Sequence, residues 1–300
     1  MPRSVTRVLV VYKKSAYQLH VRERKDLHLR SALQRQDPDA LDLRVAHAVH
    51  ERTLEAVIKS IKAAGIPYHL VYRSDLRRTT AYDLIVSVGG DGTLLHVAHA
   101  VDDTPILGVN SDPRRSEAVF SAATRTTFPK LLRLALARQL PALTLFRLRV
   151  GLNGRPLDSL VLNDVLIAHE DPATMSRYRL RIGRRQEFQK TSGLWIATAA
   201  GSSSAILAAG GTRLPWNDRR FQYRPRELYR GRLTKCRLTG GVLPMRAELE
   251  LVWLMREGFV FMDGPHVRQP LRFGDRVVIG LSPAHPLRIL GLQHSRIAGP

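Results

Sequence analysis

Apolar residues in this chain of 300 residues fall into two rhythms. Up to about residue 140, short apolar runs (7–12, 68–72, 84–88 and 105–109) alternate with stretches whose apolar positions recur every three or four residues. The runs have the length and composition of buried strands. The stretches predict helices over residues 17–36, about 47–63 (Val49, Leu54, Val57, Ile58, Ile61) and about 127–138. Asp37-Pro38-Asp39 reads as the break between the first two helices, and Gly65 as the C-cap of the second, with Pro67 just beyond. Strand and helix alternating through short links form a parallel sheet wrapped by helices, a doubly wound α/β domain.

From Leu143 the rhythm changes to strands. Residues 143–152, Asn153-Gly154 and 157–168 carry a hairpin signature, because Asn-Gly supplies the two positive-φ residues of a type I′ turn. Leu249, Leu251, Trp253 and Met255 alternate with polar neighbours, Glu257-Gly258 turns, and 259–262 returns. A last pair, 276–281 and 287–290, completes an antiparallel, β-rich domain. The predicted organisation is therefore an α/β domain over residues 1–140 and a β-rich domain over 141–300, whose last residues return to the first.

Charge narrows the classes of partner. The net charge is +21, and residues 176–237 hold 15 Lys and Arg against 3 Asp and Glu, so a polyanionic partner is expected there. That segment lacks the interleaved aromatics of a single-strand platform, and no helix-turn-helix or zinc-finger spacing occurs. A phosphorylated small molecule is thus the better reading than nucleic acid. The single cysteine, Cys236, rules out an intramolecular disulfide and a Cys-based metal site, which fits a reducing compartment. Residues 8–11 are better used as a core strand than as a leader or membrane span, so a soluble cytoplasmic protein is expected. His47 with His50, and His96 with His99, stand three apart on predicted helices without an acidic or Cys partner at ligand spacing, and read as ordinary helix surface.

The chemistry concentrates at residues 84–95, where an apolar strand ends in Gly89-Gly90-Asp91-Gly92-Thr93 and a helical pattern follows at once. Glycines there permit positive φ and close approach of a ligand, and a helix start offers unpaired N–H groups, the ingredients of a phosphate site. The carboxylate is out of place beside phosphate unless it binds a metal or takes a proton from an attacking hydroxyl. The alternative is a plain turn with Asp91 as N-cap. Neither a P-loop nor the third glycine of a dinucleotide fingerprint is present. Asn110, which ends the next strand, falls at the same carboxyl edge.

Two further places break the β pattern. Asn163-Asp164 interrupts an apolar strand and either faces solvent or reaches a ligand. Residues 192–211 run through a strand to Thr198, a small-residue turn (Gly201, Ser202, Ser203, Ser204, Ala205), a short helix and Gly210-Gly211. A nucleophile elbow lacks its second glycine here, which leaves a polar pocket floor or a capped helix.

Together these places resemble the NAD kinase family. Gly89-Gly90-Asp91-Gly92-Thr93 is similar to its first motif and Asn163-Asp164 to its Asn-Glu/Asp motif. Residues 198–211 are similar to its Thr-x-x-Gly-Ser-Thr/Ser and Gly-Gly segment, and Asp263-Gly264 to its late Asp-Gly pair. Order and spacing agree over about residues 80–290. Residues 108–113, Arg115-Ser116-Glu117, Phe221-Gln222-Tyr223 and Arg226-Glu227 resemble the branch of plant NADH kinases and animal mitochondrial NAD kinases. The resemblance implies an active site between the two domains, at least a homodimer, and ATP-dependent phosphorylation, with Mg²⁺, of the adenosine 2′-hydroxyl of NAD or NADH.

In that reading Asp91 accepts the hydroxyl proton and the N–H groups of residues 89–93 hold the donor's phosphates. Asn163 and Asp164 fix the acceptor, while Ser202, Ser203 and their neighbours line the dinucleotide site, and Lys190 stands at a basic position of the family. The family's metal ligands are not assigned to residues here. The chain departs from the pattern at Ser192, where the wider family has Asp, and at Ser204-Ala205, where it has Ala-Tyr. Loss of a carboxylate in Arg-rich surroundings removes attraction for a cationic ring, so NADH is expected to serve at least as well as NAD⁺. The alternatives are a lipid or sugar kinase sharing only the first motif, and an Arg-rich nucleic-acid-binding protein.

Overall fold

The computed structural model describes residues 5–232 and 235–292. The chain divides into two compact units, one reaching Leu143 and including Arg288–Leu292, the other running from Thr144 to Leu287.

The first unit contains β1 (Val8–Tyr12), α1 (Leu27–Gln34), α2 (Pro38–Ala63), β2 (Tyr68–Tyr72), β3 (Leu84–Gly89), α3 (Asp91–Ala100), β4 (Ile106–Asn110), the two-residue β5 (Ala123–Thr124) and α4 (Phe128–Leu136). The strands form a parallel sheet in the order β2-β1-β3-β4. Val57 and Ile61 of α2 and Phe128 and Leu132 of α4 pack with Val10, Val86, Leu107 and Val109 on one face. Helix α3 takes the other: a Cβ at Gly108, which points away from Leu107 and Val109, would meet Leu94 of α3 at 3.1 Å. The sheet is therefore doubly wound, and all its carboxyl ends (Tyr12, Gly89, Asn110) share one edge.

Two helix predictions need correction. Asp37-Pro38-Asp39 parts α1 from α2, as expected, but it is also the start of the second helix. The Asp37 side chain accepts the N–H groups of Asp39 (3.0 Å) and Ala40 (3.2 Å), and Pro38, which lacks an N–H, sits at the first helical position. Helix α2 thus begins well before residue 47 and runs 26 residues. The single helix predicted over 17–36 is two pieces, a π-helical segment Tyr17–Glu23 and α1, parted at Lys25 (φ 56°), with Asp26 capping α1 through the Leu29 N–H. Gly65 takes φ 69° just past α2, as expected of a glycine at that position.

His47 and His50 are buried rather than on the helix surface. His47 Nδ1 lies 3.0 Å from Ser15 Oγ, and its ring stacks on Tyr17. Burial, then the charge of Lys13, pushes His50 down to about 4; His47 adds to this, while the Lys13 backbone and Asp112 oppose it. A histidine depressed on folding takes up its proton more readily in the unfolded chain. The stability it preserves is complete above the unfolded value near 6.5 and is lost as pH falls toward 4. Between pH 7 and pH 5 the wild type should lose roughly 2 kcal/mol more stability than His50→Phe. Parallel pH profiles from denaturant titrations of the two would contradict this.

The second unit contains β6 (Ala142–Leu152), β7 (Arg155–Pro156), β8 (Asp164–Ala168), β9 (Ser176–Ile182), β10 (Arg185–Thr191), β11 (Gly193–Thr198), α5 (Ala205–Ala208), β12 (Arg220–Arg226), β13 (Gly241–Pro244), β14 (Glu248–Trp253), β15 (Gly258–Met262), β16 (Val267–Leu271) and β17 (Arg276–Leu290). One antiparallel run is β10-β9-β14-β17 and a second sheet is β13-β12-β11-β8-β15-β16. Their inner faces share one core, with Val165, Ile196, Phe221 and Val260 from one and Leu180, Leu251, Trp253 and Ile279 from the other.

The Asn153-Gly154 turn has both residues at positive φ (51° and 79°), as the hairpin signature requires. The return strand is not continuous: β7 has two residues, a single bridge joins Leu148 to Val161, and β8 enters the other sheet. β14 and β15 likewise lie in different sheets and do not pair. The last pair of strands is one strand of 15 residues, β17, which accommodates Pro283 and Pro286. Its Ile289 pairs in parallel with Ile106 within the first unit. Among the described residues no helix is long and apolar enough to cross a membrane.

Candidate active site

In the first unit the turn between β3 and α3 is as tight as it can be, with Gly90 alone separating Gly89 from Asp91. None of Gly89, Gly90 and Gly92 takes a positive φ, contrary to expectation. What the turn requires is space. A Cβ at Gly89 would overlap the Thr93 hydroxyl, one at Gly90 would meet Ser116 Oγ at 3.0 Å, and Gly92 is exposed at the helix start. Gly90, with extended backbone, is the N-cap, so Asp91 does not cap its own helix. Its carboxylate turns away to accept two backbone N–H groups, from Phe120 at 2.9 Å and Val119 at 3.0 Å. Burial raises the Asp91 pKa above the ordinary carboxylate range, Glu117 adds to that, and the two N–H donors oppose it.

Asn110 supports this arrangement from the next strand. Its amide donates to the Ser116 carbonyl (2.7 Å) and its oxygen accepts the Asp112 N–H (3.0 Å), so it shapes the loop that places Ser116 against Gly90. Two basic residues that the motif reading missed stand at the same edge. Arg73, just after β2, has a guanidinium nitrogen 3.8 Å from where a Gly92 Cβ would be. Lys13, just after β1, has its pKa lowered by burial and by Arg73, with Asp112 opposing. A basic residue directly following the carboxyl end of a parallel strand was the available signal.

In the second unit Asn163, Asp164, Thr198, Gly201 and Ser204 converge. Asn163 Nδ2 and Ser204 Oγ both donate to Asp164 Oδ2, at 2.9 and 3.0 Å. Burial pushes the Asp164 carboxyl up to about 6, with the Ser204 hydroxyl opposing. Thr198 Oγ1 donates to the Leu162 carbonyl and accepts the Gly201 N–H, which pins the turn to the start of β8. Gly201 is obligatory, since any Cβ there would overlap the Asn163 carbonyl oxygen. Asp263 (φ 50°), followed by Gly264 (φ 108°), holds the segment from the other side. Its buried carboxylate accepts the N–H groups of Leu162, Asn163 and Asp164 at 2.9, 2.7 and 3.1 Å. The Asp-Gly pair is thus the clamp that aims Asn163-Asp164.

Other predicted pocket residues have different surroundings. Ser202 is fully buried, and its hydroxyl exchanges hydrogen bonds with the backbone of Leu214, so it and Thr198 are tied into the loop. Ser203 is half-buried and Ala205 is the exposed first residue of α5. Ser192 lies at the opposite end of β11 from Thr198, its N–H donating to the Arg226 carbonyl, and the Lys190 ammonium sits 6.0 Å from the Tyr229 ring centre.

Comparison with known proteins decides between the kinases that share the first motif. The chain is 34% identical over 254 residues to a probable NADH kinase of Oryza sativa subsp. japonica, covering 77% of this chain and 78% of that protein. The chain belongs to the NAD kinase family. The family's ATP-NAD kinase N-terminal domain profile matches residues 5–129 of this chain, which include the Asp91 turn and its supporting loop. The fold agrees. An NAD kinase from Archaeoglobus fulgidus in complex with ATP superposes with a TM-score of 0.66 at 20% identity, over 97% of this chain and 95% of that one. A yeast NADH kinase complexed with NADH gives 0.69 at 16% identity, over 98% and 85%. The parallel sheet in one unit and the antiparallel sandwich in the other are those of this family of kinases.

Proposed function

We propose that this NAD kinase transfers the terminal phosphoryl group of ATP to the 2′-hydroxyl of the adenosine ribose of NAD or NADH, giving NADP or NADPH. The observation that carries the reading is Asp91, a carboxylate at the first residue of α3, oriented by two N–H groups and made more basic by burial. As the 2′-oxygen bonds to phosphorus and the bond to the bridging oxygen of ATP breaks, ADP leaves and Asp91 takes the hydroxyl proton. The N–H groups of Asp91 and Gly92, which precede the first helical hydrogen bond of α3 (Thr93 N–H to the Gly90 carbonyl, 3.0 Å), face the donor's phosphates together with Arg73 and Lys13. Asn163 and Asp164, with Ser204, orient the acceptor through the clamp made by Asp263.

Among the described residues no three His, Cys, Asp or Glu side chains converge as a metal cage. One carboxylate beside a phosphate cradle fits Mg²⁺, which keeps its waters and binds mainly through substrate phosphates. Such an ion would be held by the donor's phosphates with Asp91 as the adjacent carboxylate, and would neutralise charge on those phosphates. The rest of the reading is a homo-oligomer, dimeric or larger, in the reducing cytoplasm that one cysteine fits. The match beyond the first motif, at Asn163-Asp164 and Gly201, favours this reaction over a lipid or sugar kinase.

A coupled assay with NAD⁺ and with NADH, each against ATP, tests the reading; no NADP or NADPH from either would refute it. NADH should be used at least as well as NAD⁺, because Ser192 supplies no carboxylate to a cationic ring and the Arg226 backbone holds it. A preference for NAD⁺ of about tenfold or more in kcat/KM, about 1.4 kcal/mol, contradicts that expectation. Ser192→Asp should shift the ratio toward NAD⁺.

A further inference from the structure

The segment between β4 and α4, which orients Asp91, has both of its ends in the wall of a cavity of about 500 Å³ that the proposed reaction leaves unused. Asp112, Arg114 and Arg115 line it at one end of that segment, and Thr124, Arg125 and Thr126 at the other. Helix α2 closes the third side with Val45, Val49 and Arg52. Helices α2 and α4 cover one face of the parallel sheet and α3 the other, so this cavity is on the opposite side of the sheet from the helix that starts at Asp91. Neither Lys13 nor Arg73 lines it.

Four arginines face a single lining carboxylate, that of Asp112. Arg115 is already engaged, because it donates to both oxygens of Asp42 on α2 and, at 3.0 Å, to Asp112. Among the described residues Arg114 and Arg125 meet no carboxylate, and neither does Arg52, whose Nε donates to the Ala48 carbonyl. Three unpaired cations brought to one cavity from three parts of the chain repel one another, and an anion seated among them removes that repulsion. Thr124 and Thr126, whose hydroxyl oxygens are 3.1 Å apart, add donors suited to phosphate oxygens. Val45, 50% exposed, and Val49 give the α2 wall an apolar part. Carbon beside guanidinium groups, in a volume of this size, suits an organic skeleton bearing phosphates better than a bare ion.

We propose that this cavity binds a small organic molecule carrying two or more phosphate groups, as an effector and not as a substrate. Phosphates bridging Arg52, Arg114 and Arg125 hold both ends of the segment to α2, which the Thr53 hydroxyl already ties to the Ser111 carbonyl at 3.0 Å. Between those ends lie Ser116, against Gly90, and Val119 and Phe120, whose N–H groups hold the Asp91 carboxylate. The bound effector thereby steadies the base. Binding is independent of the reading of the chain as a dinucleotide kinase, whereas the effect on rate rests on it. Fructose 1,6-bisphosphate is the probe, and citrate, a polyanion without phosphate, is the comparison. Each is titrated by calorimetry into wild type, Arg52→Ala and Arg125→Ala, without and with saturating ATP to fill the donor's cradle.

Fructose 1,6-bisphosphate should bind wild type at one site per chain whether or not ATP is present, and about tenfold more weakly in either arginine variant. Its affinity should fall as salt is raised. At saturation it should raise wild-type kcat about threefold and leave kcat of the Arg52→Ala/Arg125→Ala double variant unchanged, while without the probe the two enzymes differ by less than about twofold in kcat. Absence of binding to wild type, loss of binding when ATP is added, or equal affinity in the arginine variants overturns the site. Tighter binding of citrate overturns the assignment to phosphate. An unchanged wild-type kcat at saturating probe, in an enzyme that makes NADP(H), overturns the coupling to Asp91 and leaves the reaction standing. A wild type without kinase activity removes the reading beneath that coupling, and the titrations alone then decide the cavity.

Discussion

Asp91→Asn should lower kcat by about 10² or more while leaving KM for the dinucleotide within about threefold, the signature of a lost general base. The amide cannot take the hydroxyl proton. It also turns one acceptor of the pair facing Val119 and Phe120 into a donor. That mismatch costs about 1 kcal/mol and is offset by removing a desolvated carboxylate, so the Tm should move by only a few degrees. In the wild type the acid limb of kcat/KM should lie above the ordinary carboxylate range, because burial raises the Asp91 pKa and the base works only when deprotonated. Asp91→Asn should abolish that limb along with most of the rate. Residual kcat above about a third of wild type would take the proton transfer away from Asp91.

Gly201→Ala should be nearly as damaging, by another route. Its Cβ would overlap the carbonyl oxygen of Asn163, an atom of backbone held by Thr198 and Asp263, so nothing nearby gives way cheaply. Overpacking of this kind costs about 1–3 kcal/mol, and the displacement falls on the residue pair assigned to the acceptor. The expected result is a Tm lower by several degrees and a dinucleotide KM higher by about tenfold, with KM for ATP little changed. Gly151→Ala is the matched control. It lies in β6, has no positive φ, and its Cβ would meet nothing closer than 3.6 Å. Equal effects of the two substitutions would mean that contact with Asn163 is not the cause.

The parallel half of the fold was legible because its central strands, Val8–Tyr12, Leu84–Gly89 and Ile106–Asn110, are short and almost wholly apolar, as a sheet covered on both faces requires. Helix starts were harder. Asp-Pro-Asp carries the composition of a breaker and of a cap alike, and only the hydrogen bonds from Asp39 and Ala40 to Asp37 distinguish them. In the β-rich half, alternation gave the strands but not their partners. β14 and β15 follow one another in sequence yet face each other across the sandwich, and β17 passes through two prolines that read as an interruption.

At the candidate site, the motifs pointed to Asp91, Asn163 and Asp164. The sequence was silent on what orients them, since the N–H donors of Val119 and Phe120 come from a loop whose residue types are immaterial to the contact. Positive φ was the wrong reason for the first three glycines, which are needed for the room they leave. Asp263 belonged to the motif set, but only the three N–H groups converging on it reveal a clamp.

The pairing of Ile289 with Ile106 has a consequence for how the polypeptide is made. The ribosome releases β4 before any of residues 144–287, and the segment that covers the start of that strand emerges only after them. Until then the nascent sheet presents an open edge of apolar residues, Ile106 and Leu107 among them, a template for misassociation with other chains. Completion of the amino-terminal unit therefore waits until residues 144–287 have been made, and a slower passage through them lengthens the time for which that edge stands open.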